Sequence, residues 1–194
     1  MTRRIGILGK GSVGSQLARG LERAGHEVRT TGSDEAEVRE TTGWAEVVLL
    51  AVPYGAVDDV VRTVVDRLDG KTVVDVTNPL DADLGLAVGF DSSAAEELQR
   101  KLPGARIVKA FNTVFARNMD SGHVGGRAQA AFVAGDDADA KRTVLELARG
   151  IGFDAVDAGP LDSARLLEPL AVLNIRLGYA MGMGTDIGLG LLRG

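Results

Sequence analysis

The chain has 194 residues, which suits one large domain, or one domain with a small appendage, so we do not expect a nucleotide-binding domain followed by a full substrate domain. Its net charge of −5 argues against a general electrostatic attraction to nucleic acid or to an anionic membrane surface. Glycine is enriched at 26 residues, cysteine is absent, and the only histidines are His26 and His123. Disulfide frameworks, thiolate zinc sites and multi-histidine metal centres are therefore excluded, and we expect no metal site.

The hydropathy pattern predicts a globular protein without a membrane span. The most apolar stretch, from Leu170 to Leu192, is interrupted by Arg176, Asp186 and several glycines, so it falls short of the roughly 20 apolar residues of a spanning helix. The first residues, MTRRIGILGKG, lack the apolar segment of a signal peptide. We therefore expect a cytoplasmic location.

In the first 80 residues, short apolar runs typical of buried strands alternate with helical patterns. The predicted strands are Arg4–Leu8, His26–Thr31, Val47–Val52 and Thr72–Val76, and the predicted helices are Val13–Ala24 and Val57–Leu68. The polar stretch between Gly32 and Thr42 can hold at most a brief helix.

The second half continues the alternation. Ser93 and Glu96 form a capping box for a helix through Leu102. Further strands are predicted at Ile107–Ala110, Ala130–Ala134 and Phe153–Ala158, with a helix at Asp137–Arg149 and a long, leucine-rich helical segment from Asp162 onward. This order predicts an α/β fold, a doubly wound and mainly parallel sheet of the Rossmann type, over residues 1–160, followed by a C-terminal helical segment over 161–194.

The main chemical signal is a glycine-rich turn between the first strand and the first helix. It has the pattern G-x-G-x-x-G and consists of Gly9, Lys10, Gly11, Ser12, Val13 and Gly14. In a dinucleotide-binding domain, the first glycine permits the tight turn, the second lets the backbone approach a pyrophosphate, and the third allows close packing of helix and strand. The strand–turn–helix context predicts that this loop binds a dinucleotide.

The end of the second strand decides between NADP and NAD, because it approaches the adenosine ribose. Thr31 and Ser33 could hold a 2′-phosphate through their hydroxyl groups, and Asp34 could hold an unmodified ribose. Asp34 could equally cap a short helix. The choice of cofactor therefore stays open at this point.

Three further strand ends fall at the edge of the sheet where open α/β folds bind ligands. They are Ala51, Val52 and Pro53; Asn78 and Pro79; and Ala110, Phe111 and Asn112. The two asparagines are candidates for the nicotinamide region, although each could instead serve a turn. Lys109 and Asp75 are unusual inside strands, and we expect the ammonium group of Lys109 to be paired or to reach solvent. The sequence contains no recognisable arrangement for acid–base or nucleophilic catalysis.

Longer segments give the sequence a specific likeness. They are, in chain order, ILGKGSVGSQLARGLERAGHEV, VVLLAVPYGAV, KTVVDVTNPL, SAAEELQRKLPGARIVKAFNTV, FVAGDDADAKRTVLELARGIGFDAVDAGPL and ARLLEPLAVLNI. Through these segments the chain resembles the NADPH-dependent reductases of the deazaflavin coenzyme F420, and the reductase domain of the STEAP metalloreductases is similar too.

The resemblance implies a homodimer that binds NADP through the glycine loop, with the nicotinamide against the loops at Pro53, Asn78 and Ala110–Asn112. A deazaflavin or flavin would stack on the nicotinamide in a cleft between the loops of Asn78 and Asn112 and the C-terminal helical segment. Hydride would then pass directly between stacked rings, so no acid–base residue is required.

The sequence departs from this family after the second strand. The usual Gly-Ser-Arg, whose serine and arginine hold the 2′-phosphate, is here Gly32-Ser33-Asp34. An arginine–phosphate contact is a strong, charge-assisted interaction, so its loss leaves the NADP preference open. Two other functions remain: an NAD(P)H-dependent reductase of a small carbonyl or imine substrate, and a non-catalytic dinucleotide-binding sensor.

Overall fold

The computed structural model describes residues 1–81 and 83–194 and confirms the predicted α/β architecture. Its strands are β1 (Arg4–Leu8), β2 (Glu27–Thr31), β3 (Val47–Leu50), β4 (Thr72–Asp75), β5 (Arg106–Ala110), β6 (His123–Val124), β7 (Arg127–Ala128), β8 (Ala130–Gly135) and β9 (Asp154–Asp157). Its α-helices are α1 (Ser12–Arg23), α2 (Glu35–Trp44), α3 (Val57–Val64), α4 (Ala94–Lys101), α5 (Ala138–Ile151) and α6 (Ala164–Ile175).

A seven-stranded sheet in the order β2-β1-β3-β4-β5-β8-β9 forms the centre of the fold. Its neighbouring strands are parallel except for β5 and β8, which run antiparallel. The chain moves from β1 outward to β2 and then returns to β3 on the other side of β1. This reversal of strand order creates a crevice at the carboxyl ends of β1 and β3, where such sheets bind ligands.

The second helix is longer than the sequence pattern suggested. The expectation of at most a brief helix between Gly32 and Thr42 is wrong, because α2 has 10 residues and ends at Trp44. Asp34 caps it by accepting a hydrogen bond from the Glu37 backbone N–H at 2.9 Å. Val38, Thr41 and Thr42 are buried on its inner face, so packing against the sheet stabilises a segment that is otherwise polar.

The C-terminal segment is helical only in part. After α6, one π-helical turn covers Arg176–Ala180, and residues 181–194 have no regular secondary structure. This end of the chain packs back onto the domain, because the Ala130 N–H donates to the Leu189 carbonyl at 2.8 Å. It contains glycines at 182, 184, 188, 190 and 194, whose low helix propensity explains why the predicted helix stops.

Apolar side chains fill both faces of the sheet. One cluster lies between the sheet and α1 and α5 and contains Ile5, Leu17 and Val144. The other lies between the sheet and α2, α3 and α4 and contains Val48, Val61 and Leu98. In the part of the chain that is described, no helix is long and apolar enough to cross a membrane. The cytoplasmic location stays a prediction.

Candidate active site

The glycine loop after β1 has the backbone geometry that its sequence predicts. Gly9 has φ +127°, and a Cβ at this position would lie 2.2 Å from the Ala51 carbonyl oxygen. A Cβ on Gly14 would lie 2.0 Å from the Gly9 carbonyl oxygen. Both glycines are therefore required for the loop to sit against β3 and α1. Around Gly11, by contrast, a Cβ would have no described atom within 4 Å, so this part of the loop faces open space.

The loop leads into the positive end of α1. The first turn of this helix carries no acidic residue in the sequence, and Gly11 before it has no side chain that could cap the backbone N–H groups. Such a helix end attracts anions, because its N–H groups and the helix dipole both point outward. The local geometry therefore suits a phosphate group beside Gly11.

Two adjoining cavities extend from this loop along the edge of the sheet. The larger one, which we call the outer cavity, has a volume of about 950 Å³ and lies between the glycine loop, the loop after β2, and helices α2 and α3. The side chains on its walls include those of Lys10, Ser33, Val38, Arg39, Val60, Arg62 and Thr63. Its walls combine apolar side chains with three cationic side chains and the carboxylates of Glu35 and Asp59. The apolar and cationic parts suit a ring system that carries phosphate.

The second cavity, which we call the inner cavity, has a volume of about 470 Å³. It shares Gly11, Ala51, Val52 and Pro53 with the outer cavity, and it is also lined by Ser12, Val13, Tyr54, Gly55, Val76, Thr77, Asn78 and Leu80. The two cavities therefore follow one path across the carboxyl ends of β1, β3 and β4. Burial raises the pKa of Tyr54 to about 12, with a further contribution from Glu97, so this phenol stays protonated at neutral pH.

Asn78 and Asn112 meet directly at the inner end of this path. The Asn78 amide donates to the Asn112 carbonyl at 2.9 Å, and the Asn112 amide donates to Asn78 Oδ1 at 3.0 Å. The turn that brings them together passes through Phe111, whose φ of +63° lies in the left-handed region that bulky residues rarely adopt. The strand ends therefore bring the two asparagines together, and their place beside a nicotinamide stays a prediction.

Helix α6 packs directly against Asn112, where the sequence predicted an open cleft. The Asn112 amide also donates to the Leu167 carbonyl of α6 at 2.9 Å. Ala110, Phe111 and Asn112 are all buried, and α6 fills the space where we expected a cleft. The expected cleft between Asn112 and the C-terminal helix is thus absent from the described part of the chain, and the inner cavity opens on the Asn78 side. Pro79, which follows Asn78, accepts a hydrogen bond at its carbonyl from Ala87.

A buried ion cluster contacts Thr77, which lines the inner cavity. Lys109 Nζ contacts Asp75 Oδ2 at 2.8 Å, Glu168 Oε1 at 2.9 Å and the Thr77 carbonyl at 2.7 Å. Glu168 also accepts hydrogen bonds from the Ala94 and Ala95 N–H groups at the start of α4. Together these contacts tie β4, β5, α4 and α6 into one unit.

The pKa values of Lys109 and Glu168 are set by burial and by the charges of their neighbours in the cluster. Burial alone would lower the pKa of Lys109, but the two carboxylates around it hold that pKa above its ordinary value of 10.5. Burial raises the pKa of Glu168 above 4.5, and Lys109 counters only part of that rise. The sequence pointed to Lys109 and Asp75 but missed Glu168. The available signal was a single acidic residue within the apolar run LLEPLAVL.

The loop after β2 separates the two hydroxyl groups that the sequence singled out. Ser33 lines the outer cavity. Thr31 lines a separate cavity of about 280 Å³ together with Lys10 and Glu37. Its hydroxyl is buried without a hydrogen-bond partner among the described residues. Asp34 faces the backbone of α2 as its cap.

Neither histidine lies on the walls of the outer or inner cavity. His26 accepts a hydrogen bond from the Arg3 N–H at 3.3 Å, and burial lowers its pKa, helped by the positive N-terminus. His123 contacts the Ser121 carbonyl at the exposed β6–β7 hairpin. Within residues 1–81 and 83–194, no group of three or more histidine, aspartate or glutamate side chains could hold a metal ion.

Comparison with known proteins identifies the family. A family model described as "NADP oxidoreductase coenzyme F420-dependent" matches residues 4–79. The F420-dependent NADP reductase of Methanothermobacter marburgensis is 34% identical over 160 residues, which cover 78% of this chain and 69% of that protein. The chain belongs to the F420-dependent NADP reductase family.

Two further comparisons support the membership of this chain in the F420-dependent NADP reductase family. A crystal structure from Arthrobacter sp. FB24, described as a candidate F420-dependent NADP reductase, has a TM-score of 0.90 and 29% identity and covers 98% of this chain. Rat metalloreductase STEAP3 is 33% identical over 97% of this chain, but the chain spans only 40% of that longer protein. The family resemblance is thus confirmed, and the protein is an oxidoreductase.

Proposed function

We propose that this reductase transfers a hydride between NADP(H) and a deazaflavin (coenzyme F420) or a flavin stacked on the nicotinamide. The observation that carries the proposal is the path formed by the outer and inner cavities, which share Gly11, Ala51, Val52 and Pro53. The M. marburgensis relative is named for both cofactors. The outer cavity would take the adenosine half of the dinucleotide, and the inner cavity would take the nicotinamide.

The residues present fit such a dinucleotide. The open space at Gly11 and the positive end of α1 suit its pyrophosphate. We assign Gly9, Lys10, Gly11, Ser12, Val13 and Gly14 to this region, Ser33 to the adenosine ribose side, and Ala51, Val52, Pro53, Asn78 and Pro79 to the nicotinamide side. Thr31, which the sequence predicted for the ribose side, has a buried hydroxyl and lines the separate cavity, so we assign it no direct contact. Ala110, Phe111 and Asn112 lie one layer further in, where they support Asn78.

The chain would act mainly by positioning. When bound, the nicotinamide supplies or accepts the hydride, and the second ring completes the exchange. The protein holds the reacting ring against the wall of Val76, Thr77 and Asn78, which the Asn112 contact and the Lys109 cluster keep in place. Fixed proximity and orientation account for much of the rate of such transfers. No catalytic acid or base is assigned.

The proposed assembly is a homodimer. Leu166 and Leu173, seven residues apart on α6, are 74% and 53% exposed, and Tyr179, Met181 and Met183 after the helix are also exposed. An exposed apolar surface of this kind suits a second copy of the chain. We expect Leu166→Glu to produce monomers in sedimentation, whereas Val65→Glu, at another exposed apolar residue just after the far helix α3, should not.

The decisive experiment mixes the purified chain with NADPH and oxidised coenzyme F420. We expect the absorbance of the oxidised deazaflavin to fall as it takes up the hydride and one proton from water. Gly11→Ala should abolish nucleotide binding without loss of folding, because its Cβ would occupy the space proposed for the pyrophosphate. Gly190→Ala is the matched control, since its Cβ also meets no described atom within 4 Å.

Other outcomes would point to the alternatives. Turnover of NADPH with small imines or ketones, but not with F420 or flavin, would indicate a reductase of small carbonyl or imine substrates. Tight NADPH binding without turnover on any acceptor would indicate a sensor. Absence of binding to both NADPH and NADH would contradict the dinucleotide site itself.

A further inference from the structure

Lys10 occupies a special position in the glycine loop. Its side chain crosses the loop after β2, because its Cδ lies 3.9 Å from where a Cβ on Gly32 would stand. Its Nζ then reaches Glu37 Oε2 on the first turn of α2, at 3.2 Å. Lys10, Gly32 and Ser33 all line the outer cavity. A cation from the first loop is thus held beside the loop that lacks an arginine of its own.

Arg39 and Arg62 also line the outer cavity. Arg39 makes a bidentate contact with Asp66, at 2.9 and 2.7 Å, and also donates to the Thr63 carbonyl. This geometry uses most of its hydrogen-bonding face for joining α2 to the α3 region. Arg62 of α3 pairs with Asp59 of the same helix, and this pair is also exposed, at 72% and 74%. Lys10 differs from Arg62 because its side chain lies against the loop after β2.

Among the described residues, the Lys10 side chain forms one ion pair, and that pair is exposed. The side chains of Lys10 and Glu37 are 52% and 55% exposed, and such pairs contribute little free energy. An ammonium group has three N–H donors, so a phosphate can bind Lys10 while Glu37 remains nearby. The Ser33 hydroxyl on the adjacent loop offers a further donor.

We propose that Lys10 binds the 2′-phosphate of NADP(H) in place of the arginine that is missing after β2, beside Ser33, whose role there the family resemblance already implies. The proposal rests on the dinucleotide site proposed above and names the residues that select the cofactor. A lysine acts as a point charge without the planar fork of an arginine. Glu37 competes with the phosphate for the same ammonium group, so the selectivity is set by the balance between them.

The test compares 2′,5′-ADP with 5′-AMP, which differ only in the 2′-phosphate, by calorimetric titration. We expect the wild type to prefer 2′,5′-ADP and Lys10→Ala to reduce that preference by about tenfold, the usual scale for a lost charge-assisted contact. Lys10→Arg should retain the preference, and Glu37→Gln should raise it. Added salt should weaken the preference in the wild type more than in Lys10→Ala.

Lys101→Ala is the matched control, because Lys101 is also an exposed lysine that pairs with an acidic residue of another helix, Asp58. Thermal unfolding of each variant checks its folding. An unchanged ratio of the two affinities in Lys10→Ala overturns the proposal, and so does a loss of preference in Arg62→Ala alone. If NADPH binds and is oxidised, but the ratio of the affinities for 2′,5′-ADP and 5′-AMP is the same in Lys10→Ala as in the wild type, only this inference fails. If neither fragment nor NADPH binds, the proposed function fails with it.

Discussion

The two ends of the proposed dinucleotide site are built on opposite physical principles. At the inner end, Lys109, Asp75 and Glu168 are almost completely buried and contact one another through short ion pairs. At the outer end, Lys10 and Glu37 form a pair that is about half exposed. Charges removed from water must be paired to be tolerated, whereas exposed charges are screened and replaceable. The charged residues of the inner end are therefore needed for the stability of the fold, whereas those of the outer end can be substituted with little loss of stability.

The largest effect should follow removal of the buried ammonium group. Lys109→Met leaves Asp75 and Glu168 buried without a cation, and breaking such a cluster costs about 3–5 kcal/mol of unfolding free energy. Urea denaturation measures the loss. Lys101→Met, which removes an exposed ion pair, should cost less than about 1 kcal/mol. Equal losses in the two variants would contradict the distinction between the two ends.

The next largest effect concerns the contact between the two asparagines. Asn112→Ala removes the donor to Asn78 Oδ1 and to the Leu167 carbonyl, which should cost about 1–3 kcal/mol because buried acceptors lose their partner. We also expect weaker binding of the nicotinamide half, since Asn78 loses its support. Asn174→Ala is the control: its buried amide donates to the Thr113 carbonyl and forms no hydrogen bond with Asn78 among the described residues. A similar loss of affinity in both variants would show that Asn112 acts only through stability.

The sequence predicted the inner end less completely than it predicted the fold. The alternation of apolar runs and the glycine loop depend on local pattern, and the strands and the positions of Gly9 and Gly14 follow from it. The ion cluster depends on residues far apart in the chain: Glu168 meets Ala94 across 74 residues. No local pattern encodes such a contact. The helix α2 was underestimated for a related reason, since its buried face, and not its polar composition, stabilises it.

A smaller, pH-dependent effect is expected between α4 and α6. The hydrogen bond from Arg165 holds the pKa of Glu96 below its ordinary value of 4.5. A depressed carboxylate pKa stabilises the fold above the unfolded-state pKa, and that stability is lost as the pH falls through the lower, folded-state value. Glu96→Gln should therefore remove part of the decline in stability below about pH 4.5, while the amide oxygen of the introduced glutamine can still accept from the Ser93 hydroxyl. If the unfolding free energy of Glu96→Gln declined at acidic pH as steeply as that of the wild type, this assignment would be contradicted.

The smallest effect on stability should come from the outer end itself. Lys10→Ala removes a pair whose members are 52% and 55% exposed, so its unfolding free energy should change by less than about 0.5 kcal/mol. The same substitution is expected to change the preference for the 2′-phosphate by about tenfold. A loss above about 1 kcal/mol would mean that Lys10 supports the loop and not a ligand. If the expected result is found, the charges that choose the cofactor can be exchanged at almost no cost to folding, because water already solvates them. That separation would let a chain lack the arginine after β2 without destabilising the buried inner end of the site.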